Sequence, residues 1–114
     1  ELNPSCRTIL SSRLLTAENG FSHPKLEQRK LDFSGLSYDS QRDTIWIASD
    51  KGRCLFHYDW TRDRVLQRLD LLLDDGGETK RVRQAEGVAV DPQRGRVYVV
   101  SDRDAELYVF KLHG

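Results

Sequence analysis

The most constraining feature of the sequence is an internal repeat. Residues 33–60 align with residues 85–112 at a shift of 52 positions and without a gap. A repeat period near 50 with strand-type segments is typical of β-propellers, whereas helical repeats are shorter and have a period of 3.6. Most aligned positions keep their apolar character, and these pairs are identical: Gly35/Gly87, Asp39/Asp91, Gln41/Gln93, Arg42/Arg94, Ser49/Ser101, Asp50/Asp102 and Leu55/Leu107.

Each copy of the repeat predicts short strands separated by turns. The strand segments are rich in β-branched and aromatic residues, which favour the extended conformation. In the turn at 91–95, Pro92 presets φ and Gly95 accepts a positive φ. The predicted strands are 36–38, 44–48 and 54–58 in the first copy and 88–90, 96–100 and 106–112 in the second.

A fourth strand is predicted only in the first copy, at 65–71. The predicted fold is all-β, with two consecutive four-stranded antiparallel propeller blades, the second lacking its own outer strand. Something must then cover the edge at 106–112. Residues 6–16 are predicted to contain strand segments that either form the outer strand of a preceding blade or fold back onto this edge. The predicted organisation is an N-terminal strand and connector at 1–30, a blade at 31–73, an inter-blade loop at 74–84 and an incomplete blade at 85–114.

Two blades cannot close a ring, because propellers have 4–8 blades. Each blade packs its faces on its neighbours, so two blades leave apolar faces open. The chain is therefore expected to be a fragment of a six-bladed propeller or a subunit whose copies assemble. We favour the fragment. The expected partners are other blades of a parent chain or other copies.

Composition excludes some classes of partner. Lys plus Arg is 18 and Asp plus Glu is 18, whereas nucleic-acid binders carry a basic excess. No run approaches the roughly 20 apolar residues of a membrane span, and residues 1–4 lack the basic start and apolar core of a signal peptide. The two cysteines, Cys6 and Cys54, form no disulfide framework. We expect two thiols, with one disulfide as the alternative.

Two segments carry a family resemblance. Residues 31–39 read LDFSGLSYD and residues 83–91 read RQAEGVAVD. In this order they resemble the C-terminal portion of the SdiA-regulated domain family, and Ser49-Asp50 and Ser101-Asp102 fit the family's second-strand ends. Residues 1–29 match nothing specific. The resemblance implies a bacterial propeller outside the cytoplasm, periplasmic or anchored to the envelope, and it implies no assigned reaction.

Candidate metal ligands follow from the expected blades. Ser34 and Glu86 begin the first strands, which line the channel of a propeller, and their oxygens suit Ca²⁺. Related calcium-dependent propeller hydrolases place a glutamate at a similar Glu-Gly step, so the resemblance makes Glu86 the first candidate ligand. The alternative is that Glu86 closes its turn. Asp50 and Asp102 are further candidates, with turn capping as their alternative.

No catalytic residue is predicted. The sequence lacks a Gly-x-Ser-x-Gly elbow and a phosphate-binding loop, and His23, His57 and His113 have no metal-type spacing. The leading hypothesis is a non-catalytic binding or scaffold module of the bacterial envelope, which contacts a protein or small ligand through its loops. The alternatives are a calcium-assisted hydrolase of esters, lactones or phosphoesters, and a self-assembling structural subunit.

Overall fold

The chain is all-β in the computed structural model, which describes residues 8–75, 78–81, 85–102 and 105–112. Cys6 lies outside these residues, so the predicted state of the two thiols stays a prediction. The described helices are two single 3₁₀ turns, Ala17–Asn19 and Gln28–Lys30. Neither is long or apolar enough to cross a membrane.

Nine strands form three antiparallel sheets in the described residues. The first sheet has four strands in chain order, the second has three, and a two-stranded hairpin joins them. The first sheet contains β1 (Gly35–Asp39), β2 (Thr44–Ser49), β3 (Cys54–Asp59) and β4 (Arg64–Asp70). The hairpin contains β5 (Leu72–Asp75) and β6 (Glu78–Arg81), and the second sheet contains β7 (Ala85–Asp91), β8 (Arg96–Ser101) and β9 (Glu106–Lys111).

The two larger sheets share one pairing register at the shift of 52. Gly35 lies opposite Ala48 in the first sheet, and Gly87 lies opposite Val100 in the second. The register between the second and third strands is also the same in both sheets. The turn positions agree as well, since Asp43 and its counterpart Gly95 both have positive φ, 52° and 63°. Within the described residues the second sheet has three strands, which agrees with the three strand segments predicted for this copy.

The connector after the first sheet differs from its prediction as a loop. Residues on both sides of positions 76–77 pair as β5 and β6, with Asp75 opposite Glu78. The sequence Gly76-Gly77 between two pairing segments is a signal for a two-residue hairpin. The cluster of acidic residues before the glycines obscured this signal, because aspartate is depleted in strands.

The N-terminal stretch also differs from its prediction, because residues 8–16 contain no strand. This segment does not lie along the edge of β9. It packs beside β3 instead, where Arg13 donates a hydrogen bond to the Tyr58 hydroxyl and Leu15 packs against the buried cluster that contains Phe56 and Tyr58. Ile9, Leu10 and Leu14 remain exposed.

Each large sheet has two faces, and we name them by their residues. The front face carries Ile47, Phe56 and Tyr58 in the first sheet and the counterparts Val99, Tyr108 and Phe110 in the second. The back face carries Trp46, Ala48 and Leu55 in the first sheet and Tyr98, Val100 and Leu107 in the second. Two residues that lie opposite each other on paired strands point to the same face of the sheet. The pairing therefore assigns each remaining strand residue to the front or the back face.

The core joins the front face of the second sheet to the back face of the first. In this cluster, the buried Trp46 and Leu55 of the first sheet pack with the buried Val97 and Val99 of the second. A separate cluster covers the front face of the first sheet, where Phe21 and other residues of the N-terminal segment pack on β2, β3 and β4. Residues 15–33 thus cover part of the face on which no other sheet lies.

The first strands of the two sheets run side by side. The Ser37 hydroxyl accepts a hydrogen bond from the backbone N–H of Val90 at 3.1 Å. At Gly35 an added Cβ would lie 3.2 Å from both the Glu86 carbonyl oxygen and the Gly87 Cα. Glycine at position 35 therefore permits the close approach of β1 and β7.

Candidate functional site

The sheets present two ends, each with its own polar groups. At one end the first strands begin and the second strands finish, and we call this the Ser34 end. All four predicted ligands, Ser34, Asp50, Glu86 and Asp102, lie at the Ser34 end. At the opposite end lie the turns at 40–43 and 92–95, which we call the Asp91 end.

Ser34 takes part in the contact between the two large sheets. Its hydroxyl donates a hydrogen bond to the backbone carbonyl of Ala85 and lies 3.4 Å from the carbonyl of Ala48. Its backbone N–H also donates to Ala48 at 2.8 Å. The structure thus brings Ser34 beside Glu86, but the Ser34 hydroxyl is used to join β1 and β7.

Glu86 lies in a β-bulge. Ala85 pairs with Ser101 and Gly87 with Val100, so Glu86 is the extra residue in the ladder. Bulges redirect a side chain and are common beside functional sites. The Glu86 side chain is exposed and makes no hydrogen bond or ion pair in the part of the chain that the structure describes.

The turn after β2 is capped by residues other than the predicted Asp50. The Ser49 hydroxyl accepts a hydrogen bond from the backbone N–H of Gly52 at 3.0 Å and donates one to Asp32 at 3.0 Å. The Asp32 carboxylate also accepts from the N–H of Lys51 at 2.8 Å. Asp50 is half-buried beside this network, and Asp102 is exposed at the matching end of β8.

These donors do not fit a calcium shell by themselves. Ca²⁺ takes six to eight oxygen ligands, several of them carboxylates. Within residues 8–75, 78–81, 85–102 and 105–112, no group of three His, Cys, Asp or Glu side chains could hold a metal ion. Ser34 is hydrogen-bonded to backbone carbonyl groups, and Glu86 belongs to no such group of three within these residues. The assignment of Ca²⁺ to Glu86 stays a prediction.

A calcium titration tests this assignment. We expect Glu86→Gln to leave the calcium binding isotherm of the chain unchanged, because one exposed carboxylate contributes little to chelation. Isothermal titration calorimetry of wild type and variant measures this, and Glu18→Gln, an exposed glutamate away from the Ser34 end, is the matched control. Saturable binding that Glu86→Gln abolishes and Glu18→Gln retains would restore Glu86 as a ligand.

The Asp91 end contains two equivalent aspartate turns. Asp39 accepts hydrogen bonds from the backbone N–H groups of Gln41 and Arg42, both at 3.1 Å, and Asp91 accepts one from the N–H of Arg94 at 3.2 Å. Each carboxylate also pairs with an arginine at 2.9 Å. Both aspartates therefore cap their turns through their side chains. The Arg94 hydrogen bonds hold the pKa of Asp91 below its usual value.

A cleft of about 470 Å³ opens at the Asp91 end between turns of the two large sheets. The first sheet contributes Ser40 and Gln41, and the second contributes the turn after β7 and the side chain of Tyr98. The side chains of Ser40, Gln41 and Gln93 make no hydrogen bond within the described part of the chain. The cleft is lined by Ser40, Gln41, Ala89, Val90, Asp91, Pro92, Gln93 and Tyr98.

Trp46 and His57 form a buried pair at this end of the first sheet. Their rings stack with centroids 4.0 Å apart, and the His57 Nε2 lies 2.6 Å from the Thr44 hydroxyl. Burial lowers the pKa of His57, which favours its neutral form. The matching position in the second sheet is Val109, so packing explains His57 without a ligand.

Sequence reasoning missed a polar network that holds the N-terminal segment. Arg13 donates to the Tyr58 hydroxyl at 3.1 Å and to the Trp60 carbonyl, and Tyr58 donates to Asp63. Asn19 donates to Asp63 at 3.0 Å. Burial and the Asp63 hydrogen bond raise the pKa of Tyr58. Arg13 and Asn19 lie more than 40 positions from these partners in sequence, and no motif links them.

Comparison with known proteins gives a single kind of match. The family model described as SdiA-regulated matches residues 5–111, which is most of the chain. No curated protein and no solved structure matches the chain. The match includes the N-terminal segment that covers the first sheet, as well as both large sheets. The chain belongs to the SdiA-regulated family.

Proposed function

We propose that the chain is a non-catalytic binding module on a propeller-type scaffold, located outside the cytoplasm, and that its ligand occupies the cleft at the Asp91 end. The scaffold is the stack of the two large sheets, in which the front face of one lies on the back face of the other. The location is taken from the family resemblance.

The cleft is the observation that carries this proposal. Its volume falls in the usual range of small-molecule sites, about 300–1,000 Å³. Its walls come from two sheets, so the packed core fixes the spacing between Gln41 and Gln93. A site held between rigid elements loses less conformational entropy on binding than one built within a single loop.

The lining favours a small, uncharged ligand with several hydroxyl groups. Two glutamine amides and the Ser40 hydroxyl supply both donors and acceptors. Tyr98 and Pro92 offer apolar surfaces against which a sugar-like ring can lie. The carboxylate in the cleft, Asp91, is paired with Arg94, so the lining presents no unpaired charge that selects an ion.

Protein NMR with neutral disaccharides tests the proposal. We expect millimolar maltose, lactose or trehalose to shift backbone amide signals of Gln41 and Gln93, with a dissociation constant on the order of 1 mM. Tyr98→Ala should weaken this binding about tenfold or more, because the ring surface is lost.

Gln67→Ala is the matched control, since Gln67 is an exposed glutamine on β4, outside the cleft. It should bind as wild type does. If none of the three sugars shifts amides at 40–41 or 89–93, or if Gln67→Ala weakens binding as much as Tyr98→Ala does, the cleft is not the ligand site.

A further inference from the structure

The chain has two asparagines, Asn3 and Asn19, and Asn19 is the one that precedes a glycine. In an Asn-Gly pair the backbone nitrogen of the glycine can attack the side-chain amide carbon of the asparagine, because glycine has no side chain to hinder the approach. The new C–N bond closes a cyclic imide, and the side-chain nitrogen leaves as ammonia with the proton of the backbone nitrogen. Water then opens the imide, and the asparagine becomes aspartate or isoaspartate.

Glycine is required at position 20 by the fold. Gly20 has a φ of 103°, which lies in the left-handed region that favours glycine. An added Cβ would also lie 2.7 Å from the Cβ of Val65 on β4, which is closer than side chains pack. The close approach of the N-terminal segment to β4 therefore keeps a glycine after Asn19, and with it the reactive pair.

The Asn19 side chain anchors the N-terminal segment to the first sheet. Asn19 is 8% exposed. Its amide nitrogen donates hydrogen bonds to the Asp63 carboxylate and to the Leu14 carbonyl, both at 3.0 Å, and its amide oxygen accepts one from the N–H of Thr16 at 2.8 Å. Asp63 lies in the turn between β3 and β4, so its bond to Asn19 joins the segment to the sheet.

The same contacts protect Asn19 while the segment is bound. The attack requires the side-chain amide of Asn19 to turn toward the backbone nitrogen of Gly20, and this nitrogen to lose its proton. Three hydrogen bonds hold the amide, and the Gly20 N–H donates to the Ala17 carbonyl at 3.1 Å. Deamidation therefore proceeds from the detached segment, because local opening frees both groups.

Aspartate at position 19 would not restore the anchor. Its carboxylate would face the Asp63 carboxylate, which is ionised because hydrogen bonds from Tyr58 and Asn19 lower its pKa, and like charges at this distance repel. Arg13 contributes one positive charge beside Asp63, so two carboxylates there leave a net negative charge. The Leu14 carbonyl would also lose its donor.

Isoaspartate would disrupt the contact in a different way. It adds one methylene to the backbone between positions 19 and 20 and leaves a shorter side chain. The backbone would lengthen at the point where Gly20 packs closely on Val65. Both products therefore weaken the contact of the N-terminal segment with the turn between β3 and β4.

We propose that Asn19 is a deamidation site and that its deamidation releases residues 15–33 from the first sheet irreversibly. The release exposes the front face of that sheet, including Phe56 and Tyr58, which the segment covers. The device is a one-way switch, since the fold protects the asparagine and the products do not rebind. This inference does not depend on the proposed ligand site, because the cleft is lined by other residues.

Peptide mapping by mass spectrometry of the full chain, kept in mildly alkaline buffer, tests the proposal. We expect Asn19 to deamidate about tenfold or more slowly in the native chain than in the chain unfolded in urea, because opening of the segment limits the native reaction. Asp63→Gly should raise the native rate several-fold. Glycine accepts the φ of 53° at this position, but the Asn19 amide loses its acceptor on the sheet.

Asp43→Gly is the matched control. Asp43 has a φ of 52° and accepts a hydrogen bond from Tyr38, as Asp63 does from Tyr58. Its hydrogen bonds in the described part of the chain do not involve residues 8–33. The native rate of this variant should therefore equal that of wild type. Equal rates in native buffer and in urea overturn the proposal, and so do equal native rates for Asp63→Gly and Asp43→Gly.

Asn19→Asp reproduces one product and tests the release separately. The N–H of Phe21 donates to the Thr16 carbonyl at 2.9 Å, so its hydrogen exchange, followed by NMR, reports whether the segment is bound. We expect this amide to exchange about tenfold faster in Asn19→Asp than in wild type, while the amides of β8 keep their wild-type rates. Wild-type exchange at Phe21 in this variant would mean that the modified segment stays bound, and the proposed release would be wrong.

Discussion

Replacing Phe21 by alanine is expected to lower the free energy of unfolding by about 3–5 kcal/mol. Phe21 is fully buried. Its ring lies 5.1 Å from the rings of both Phe56 and Tyr58 and 5.4 Å from that of Phe33, measured between centroids. Alanine would leave a cavity between the N-terminal segment and the first sheet, which would also expose the sheet to water. Urea denaturation followed by far-UV circular dichroism measures the change.

Phe33→Ala is the matched control, because Phe33 belongs to the same aromatic group but is partly exposed. We expect it to cost about 1–2 kcal/mol, since part of its surface is already in water. If the two substitutions have equal and small effects, residues 15–33 do not form part of the core of the first sheet.

The burial of Phe21 could not be predicted from the sequence, whereas the strands could. The strands at Ile47 and Val99 are predictable, because β-branched residues alternate between defined turns and recur at a fixed shift. Phe21 follows a glycine in a polar stretch without periodicity. Its burial depends on a sheet whose front face has no other cover, and a local pattern cannot contain that information.

The positions of two candidate ligands in the fold were predictable, but their contacts were not. Position within the repeat placed Ser34 and Glu86 correctly at the start of the first strands. Their roles depend on the distance between the sheets, which the sequence does not give. Because β1 and β7 approach closely at Gly35, the Ser34 hydroxyl bonds to backbone, whereas the bulge leaves Glu86 exposed.

The repeat does predict which residues occupy equivalent positions in the two sheets. Asp39 and Asp91 are such a pair. Both cap the same turn and pair with an arginine three residues later. Asp39, however, is fully buried and also accepts a hydrogen bond from the Trp46 indole N–H at 3.3 Å. Asp91 is partly exposed, and Tyr98 takes the place of the tryptophan. Substitutions at these two positions therefore separate the contribution of turn capping to stability from the contribution of a buried carboxylate.

Asp39→Asn is expected to destabilise the chain by about 3 kcal/mol, and Asp91→Asn by much less. The asparagine can still accept bonds from the turn. Its amide N–H₂ can accept from neither the Arg42 guanidinium nor the Trp46 indole, so the buried indole N–H and the partly exposed guanidinium lose their acceptor. Urea denaturation at pH 7 measures both variants. Equal losses would show that the buried contacts of Asp39 contribute nothing beyond the turn.

The loss at Asp39 should also depend on pH. Burial raises the pKa of Asp39, but hydrogen bonds from the side chain and backbone of Arg42 and from Trp46 outweigh it, and the net pKa is lowered. A carboxyl with a lowered pKa in the folded state stabilises the fold above its unfolded pKa, about 3.9, and this contribution is lost as pH falls through the folded pKa. The difference between wild type and Asp39→Asn should therefore be full at pH 7 and shrink below about pH 4. A difference that stays constant down to pH 2 would mean that the Asp39 charge does not contribute to stability.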